Sequence, residues 1–121
     1  MKIRIKGNAV RMRLTKTEVA IFCAKGKYEE TTDFGGRTLR YALRAKAGIS
    51  ELEADFIGDA ITLYLPEESL STWETSNRVG YANSTDWNDG GQLSLLVEKD
   101  FTCLDNTIED QSDNYPNPRL K

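Results

Sequence analysis

Four cationic side chains near the start of the chain have the residue types and spacing best suited to binding chemistry: Lys2, Arg4, Arg11 and Arg13. The Gly7-Asn8 pair predicts a two-residue hairpin turn, which sets Arg4 opposite Arg11 and Lys2 opposite Arg13 on one face. A guanidinium group presents forked donors that bind phosphate or carboxylate bidentately. Like charges directly opposite one another destabilise a strand pair, so this basic hairpin face requires anionic neighbours. We interpret it as a candidate anion-binding site.

The chain itself contains several candidates for those anionic neighbours. Carboxylates on other predicted strands would form a ladder of cross-strand ion pairs with the face: Glu29, Asp33, Glu98 and Asp100. The acidic end of the chain is a further candidate, and we favour it. An acidic peptide held on a basic face can be displaced by a competing anion, so this arrangement would be partly functional. In either case the charge of the face would be neutralised without an external partner.

A second cluster places three carboxylates, Glu51, Glu53 and Asp55, on one face of a predicted strand. This spacing can hold Mg²⁺ or Mn²⁺ near a phosphate group. The predicted register sets Arg44 against Glu51 and Arg40 against Asp55, which favours an exposed salt-bridged face. We therefore assign no catalytic or metal-binding residue. A metal-dependent phosphohydrolase acting on a triphosphate-like or nucleotide substrate is kept as the alternative.

The elements that position these residues follow from the hydrophobic pattern. Thr15 and Glu18 form a capping box that begins a helix, Gly26 ends it, and Pro66 opens a second short helix. Alternation predicts a meander of four consecutive antiparallel strands over 28–34, 37–46, 50–57 and 60–65, and a last hairpin from 78–82 and 92–103. In the meander the third strand pairs on both sides, with Leu52 opposite Leu43 and Ala54 opposite Leu63.

Together these elements predict an α+β fold with about eight mostly antiparallel strands, in a strongly curled sheet or partly closed barrel, and two short helices. Residues 1–104 are expected to form a single domain, and 105–121 an acidic, proline-containing tail docked on it. A barrel closed around the charged face would resemble the triphosphate tunnel enzymes in charge pattern. Their first-strand signature is Glu-x-Glu-x-Lys, whereas this chain reads Lys2-Ile3-Arg4-Ile5-Lys6.

Composition and charge argue against several classes of protein and of binding partner. Residues 1–50 carry a net charge of +8 and residues 51–121 a net charge of −11, which gives the total of −3. An acidic sequence pI of about 5.0 argues against nucleic-acid binding. The chain contains no histidine, which is the commonest metal ligand and general base, and we expect no cofactor. No apolar run approaches the length of a membrane span and no signal peptide is evident, so we expect a cytoplasmic protein.

Several stretches resemble a small family of uncharacterised bacterial proteins: the opening MKIRIKGN, the following RMRLTK, LVEKDF at 96–101 and the ending EDQSDNYPNP at 109–118. The resemblance covers most of the chain and implies a bacterial, cytosolic origin, but it carries no activity and no catalytic residues. We therefore predict a non-enzymatic binding or interaction protein whose basic hairpin face holds an acidic segment or an anionic ligand. A structural or oligomerising domain without a ligand is the third possibility.

Overall fold

A computed structural model describes residues 1–87, 90–101 and 113–116 of the protein. The described chain forms eight strands, one α-helix and one 3₁₀ helix. In chain order these are β1 (Lys2–Lys6), β2 (Ala9–Leu14), α1 (Lys16–Lys25), β3 (Lys27–Asp33), β4 (Thr38–Lys46), β5 (Glu53–Ile57), β6 (Ala60–Pro66), the 3₁₀ helix (Glu67–Ser71), β7 (Gly80–Asp86) and β8 (Gln92–Lys99).

The first sheet has the strand order β1-β2-β8-β7. Its opening hairpin has the predicted register, with Arg4 opposite Arg11 and Lys2 opposite Arg13. Strand β8 pairs with β2 in parallel and with β7 antiparallel. The last hairpin is therefore present as expected, although β7 runs on to Asp86, four residues beyond its predicted end.

The second sheet has the strand order β3-β4-β6-β5, so the predicted meander is wrong at one step. Strand β6 lies between β4 and β5, parallel to β4, and sets Leu63 rather than Leu52 beside Leu43. The β5–β6 hairpin keeps its predicted register, with Ala54 opposite Leu63. Residues 47–52 form a connection too long for a two-residue turn, which lets β5 pass to the sheet edge. The edge suits β5 because its acidic residues stay near solvent.

The expectation of a partly closed barrel is wrong, because the eight strands divide into two open sheets, each with two edge strands. The basic hairpin face lies on the outside of the first sheet, and Lys2 and Arg4 on it are exposed. No strand ladder closes around this face among the described residues. The described residues therefore share a charge pattern with the triphosphate tunnel enzymes but do not form a tunnel.

Helix α1 begins and ends as the sequence predicts. Thr15 and Glu18 form the reciprocal capping box, and Gly26 adopts the left-handed conformation at φ 78° after the last turn. The second predicted helix is the short 3₁₀ helix, which leads into Trp73. Phe22 of α1 packs edge-on against Trp73, with ring centroids 6.2 Å apart. The helix and both sheets contribute to one core: Met1, Met12, Leu14, Val19, Phe22, Leu43, Leu52, Leu63, Leu65, Trp73, Leu95 and Val97.

Two charged groups lie on the inner side of the sheets and are held by specific partners. The Lys99 ammonium, on a residue only 5% exposed, donates to the Ser76 carbonyl at 2.8 Å. Burial lowers the pKa of Lys99. Glu30, together with Glu18, accepts a hydrogen bond from the α-amino group of Met1. An inward-facing Glu30 is therefore compatible with the regular alternation of β3.

Part of the predicted C-terminal tail contacts the rest of the chain. The Asp113 carbonyl accepts from the backbone N–H of Lys16 at 3.0 Å, and its carboxylate accepts from the Thr17 hydroxyl at 2.9 Å. The N–H of Tyr115 donates to the carbonyl of Asp100 at 2.8 Å. Segment 113–116 therefore lies against the start of α1 and the end of β8. Residues 105–112 and 117–121 of the predicted tail lie outside the described residues.

The two helices within the described residues differ from membrane spans in length and composition. Neither has the length or the apolar character needed to cross a bilayer.

Candidate anion-binding site

The basic hairpin face divides into two halves with different surroundings. In the half near Leu14, Arg13 Nε donates to Glu98 Oε1 at 2.7 Å. In the same half, Lys2 Nζ lies 3.3 Å from Asp100 Oδ2. Glu98 and Asp100 are two of the carboxylates that the sequence offered as partners. This half of the face is therefore largely neutralised by the chain itself.

The half near the Gly7-Asn8 turn is less well neutralised. Arg11 Nε lies 3.9 Å from the Glu98 oxygen that Arg13 already holds, beyond hydrogen-bonding distance. This nitrogen is buried and has no hydrogen-bond partner in the structure. Arg4 and Lys6 form no ion pair with any acidic residue that the structure describes. The turn end of the face therefore keeps an excess of positive charge.

These cations form one wall of a groove of about 570 Å³ on the outer side of the first sheet. The groove crosses all four strands, and we call it the outer groove. Its lining residues are Arg4, Lys6, Ala9, Val10, Arg11, Ala82, Asn83, Ser84, Ser94, Leu95 and Leu96. A volume of this size lies within the range of small-molecule sites.

Part of the floor of the outer groove consists of small side chains from β2, β8 and β7, whereas Leu96 lies beside Arg11. The strand registers place Ala9 beside Ser94, and Ser94 beside Ser84. The two serine hydroxyl oxygens lie 3.3 Å apart. Because these side chains are short, a bound group can approach the sheet backbone closely. The floor thus supplies neutral hydroxyl groups beside a cationic wall.

The charge balance of this surface favours an anion. Of the cations that β1 and β2 contribute, Arg4, Lys6 and Arg11 line the groove. Among the described residues, the carboxylate in an ion pair with these three is Glu98, which is shared with Arg13, so an excess of positive charge remains. A concave surface with such an excess concentrates anions from solution, most strongly at low ionic strength.

The described part of the tail does not reach the outer groove. Segment 113–116 contacts Lys16, Thr17 and Asp100, beyond the Leu14 end of β2. Ala9 marks the groove end of the same strand, which at ~3.3 Å per residue is roughly 17 Å away. The expectation that the acidic end covers the cations therefore finds no support in these four residues.

Two of the three carboxylates of the alternative metal site have separate partners. Glu53 Oε1 accepts from Lys46 Nζ at 2.7 Å, and this hydrogen bond raises the pKa of Lys46. Asp55 Oδ2 accepts from the Tyr64 hydroxyl at 2.7 Å, which raises the pKa of Tyr64. Glu51 precedes β5 and is exposed. The described residues contain no group of three or more acidic or cysteine side chains that could hold a metal ion.

The predicted ion pairs of Arg44 with Glu51 and of Arg40 with Asp55 are wrong. They required β4 and β5 to be neighbours, whereas β6 separates the two strands. In the observed register Arg40 lies beside Ala60 and Arg44 beside Tyr64.

Sequence reasoning named Arg4 and Arg11, two of the three cations that line the groove, and missed Lys6 and the floor. Lys6 was placed beside the turn but not among the candidate residues. The serines of β7 and β8 join the site only because β8 pairs with β2 in parallel, and no local pattern predicts that pairing. The short polar residue Ser94 between Leu93 and Leu95 was the available signal, since it marks the outer face of β8.

The fold and the groove define a class: a small α+β protein of two open four-stranded sheets, with a basic groove on the outer side of one. Within that class, the chain belongs to a family of unknown function, DUF7009, whose sequence profile matches residues 1–119. The match confirms the predicted membership of an uncharacterised family. No curated protein and no solved structure matches the chain.

Proposed function

We propose that the protein is a non-enzymatic binding module whose outer groove holds an anionic group, carried by a small molecule or by an acidic protein segment. The observation that carries this proposal is the position of Arg4, Lys6 and Arg11. They line one wall of the groove, and the nearest described carboxylate, Glu98, is hydrogen-bonded to Arg13.

The binding energy would come from relief of repulsion as well as from new hydrogen bonds. Arg4 and Arg11 lie directly opposite each other on paired strands, where Cα atoms are only about 4.5–5.5 Å apart. Like charges at this spacing destabilise the pair. A phosphate or carboxylate between the two guanidinium groups would remove that repulsion and accept charge-assisted hydrogen bonds from both. The hydroxyls of Ser84 and Ser94 would contact the neutral part of the ligand.

A calorimetric titration with three probes tests the proposal: inorganic phosphate, citrate and a hexaglutamate peptide. The key variant is the double substitution Arg4→Gln/Arg11→Gln. The matched control is Lys25→Gln/Lys27→Gln, which removes the same charge from two exposed residues that do not line the groove. We expect the key variant to weaken binding of the best probe by about tenfold or more, since a charge-assisted hydrogen bond contributes ~1.5–3 kcal/mol. The control should bind within about threefold of the wild type.

Two results would overturn the proposal. One is the absence of binding for every probe at low salt. The other is an equal loss in both double variants, which would mean that affinity follows net charge and not the groove. Circular dichroism of each variant should show a wild-type spectrum, so that any loss is assigned to the site.

A further inference from the structure

The second sheet extends beyond the elements that cover its inner face. At its uncovered end the turns β3–β4 and β5–β6 lie side by side, with the Arg40 N–H donating to the Asp59 carbonyl at 2.9 Å. Three large apolar residues at this end are about 70% exposed: Phe34 at 70%, Phe56 at 72% and Ile57 at 70%. Ile57 follows Phe56 on β5 and therefore faces the opposite side of the sheet. We call Phe34, Leu39 and Phe56, which line a common hollow on the inner side, the sheet tip.

The sheet tip continues the face that forms the core. Leu43 and Leu63 are paired and fully buried, whereas Tyr41 and Ile61, one step along, are only partly buried. Beyond them the same face opens into a hollow of about 350 Å³, lined by Phe34, Arg37, Thr38, Leu39, Phe56 and Asp59. The apolar inner face of the second sheet therefore extends beyond the elements that pack against it. Single exposed apolar residues are ordinary, but a contiguous group marks a contact surface.

We propose that the sheet tip is the contact surface of a twofold-symmetric dimer, with a second copy of this chain as the partner. A twofold interface must complement itself, because the same patch is presented by both copies. The rim of the hollow meets this requirement, since it carries one cation and one anion. Arg37 Nε donates to Asp59 Oδ1 at 3.0 Å within the monomer. Facing a second copy, Arg37 would meet Asp59 of that copy, and the centre of the contact would be apolar.

The neutral rim is the reason to choose a second copy over a charged partner. A strongly acidic or basic protein would face one repelled residue for each attracted one. The apolar inner face also has a natural cover in the same face of another copy, since sheets pack face to face at about 10 Å.

The exposed apolar area of the sheet tip determines the affinity that we expect for the dimer. At 150–250 Å² for an aromatic side chain, two phenylalanines that are about 70% exposed offer roughly 200–350 Å². A standard interface buries ~800 Å² on each partner. Even with Leu39 the tip lies below that size. We therefore expect a reversible dimer with a Kd of roughly 0.1 mM.

Sedimentation velocity over a concentration series from about 0.01 to 1 mM tests the proposal, since this range brackets the expected Kd. The wild type should shift from monomer to dimer across the series. The double variant Phe34→Ser/Phe56→Ser should stay monomeric. Val79→Ser is the matched control, since Val79 is an exposed apolar residue (47%) away from the tip, and it should dimerise like the wild type.

A charge reversal provides the sharper test. Arg37→Glu alone and Asp59→Lys alone should each abolish the dimer, because like charges then meet twice across the twofold axis. An equimolar mixture of the two variants should dimerise again, since every contact across the axis pairs opposite charges. Both residues are exposed, so their own ion pair contributes little to folding.

A wild type that remains monomeric throughout the series overturns the proposal, whatever other molecule binds the tip. A dimer that survives Phe34→Ser/Phe56→Ser, or a mixture of reversed variants that stays monomeric, also overturns it. Anion binding in the outer groove is measured in a separate experiment. The dimer proposal can therefore fail while the anion-binding proposal holds, and the reverse.

Discussion

One amide side chain joins the edges of the two sheets, and its removal tests whether they depend on each other. Asn83 Oδ1 accepts from the Leu52 N–H at 2.7 Å, and Asn83 Nδ2 donates to the Leu52 carbonyl at 3.0 Å. Asn83 lies on β7, an edge strand of the first sheet, and Leu52 immediately precedes β5, an edge strand of the second. The amide thus completes the backbone hydrogen bonding of Leu52, which is only 1% exposed.

The substitution Asn83→Ala removes both hydrogen bonds and leaves two backbone groups of Leu52 without a partner. Each lost hydrogen bond costs about 0.5–1.5 kcal/mol, and a buried group left unsatisfied costs more. We expect a loss of about 2–3 kcal/mol in the free energy of unfolding. At roughly 3–6 °C for each kcal/mol in a chain of this size, the Tm should fall by about 6–18 °C.

Urea unfolding followed by tryptophan fluorescence measures this loss, because Trp73 is buried in the shared core. Asn83→Asp is an informative second variant. It keeps an acceptor for the Leu52 N–H but places a carboxylate beside the Leu52 carbonyl, so it should be no more stable than Asn83→Ala. Hydrogen exchange should show faster exchange of the Leu52 amide in both variants. A free energy of unfolding within ~0.5 kcal/mol of the wild type, with Leu52 still protected, would refute the reasoning.

Three further predictions follow from the structure. Gly80→Ala places a Cβ 2.2 Å from a backbone oxygen of β8, and a urea titration should show a free energy of unfolding lower by about 2–4 kcal/mol. Gly36→Ala is the control: its Cβ would have no atom within 4 Å, so the substitution should be neutral or slightly stabilising. Hydrogen bonds from threonine hydroxyls lower the pKa of Asp113, so its contribution to stability is present above its ordinary pKa near 3.8 and lost as pH falls below it. The protection factors of the amides in segment 113–116, which are corrected for the intrinsic exchange rate at each pH, should fall in acid, and Asp113→Asn should abolish that pH dependence. Burial raises the pKa of Tyr28 and of Tyr115 to about 12. The stability gained by keeping the two phenols neutral is therefore complete below pH ~10 and lost as the pH rises towards 12. In an absorbance titration of tyrosine ionisation, Tyr28→Phe should remove one of the steps that occur at high pH.

Local signals predicted the β1–β2, β3–β4, β5–β6 and β7–β8 hairpins and the helix correctly, because the residues that decide them are close in sequence. The Gly7-Asn8 turn fixes the register of β1 with β2, and the Thr15–Glu18 capping box fixes the start of α1. The order of strands in the second sheet depends on which strand has a neighbouring strand on each side. The alternation of apolar and polar residues along a strand does not show this. Strand β6 has more apolar character than β5, and that difference was the available clue to its central place.

The candidate site was predicted in part for the same reason. The cationic pairs of the first hairpin follow from local turn geometry, so both were identified from the sequence. Their separation into a neutralised half and a charged half depends on β8, which meets β2 from more than eighty residues along the chain. No spacing rule links Glu98 to Arg13 across that distance.

The topology explains why positive charge is left over on β1. The two parallel ladders, β2 with β8 and β4 with β6, are where the basic first half of the chain meets the acidic second half. Every side-chain ion pair between described residues joins these halves: Lys2–Asp100, Arg11–Glu98, Arg13–Glu98, Arg37–Asp59 and Lys46–Glu53. Part of the segregated charge is therefore neutralised inside the fold. Strand β1 is separated from β8 by β2, and its Arg4 lies too far along the edge to share those carboxylates. The strand order thus leaves the turn end of β1 cationic beside the groove, where an external anion would supply the missing partner.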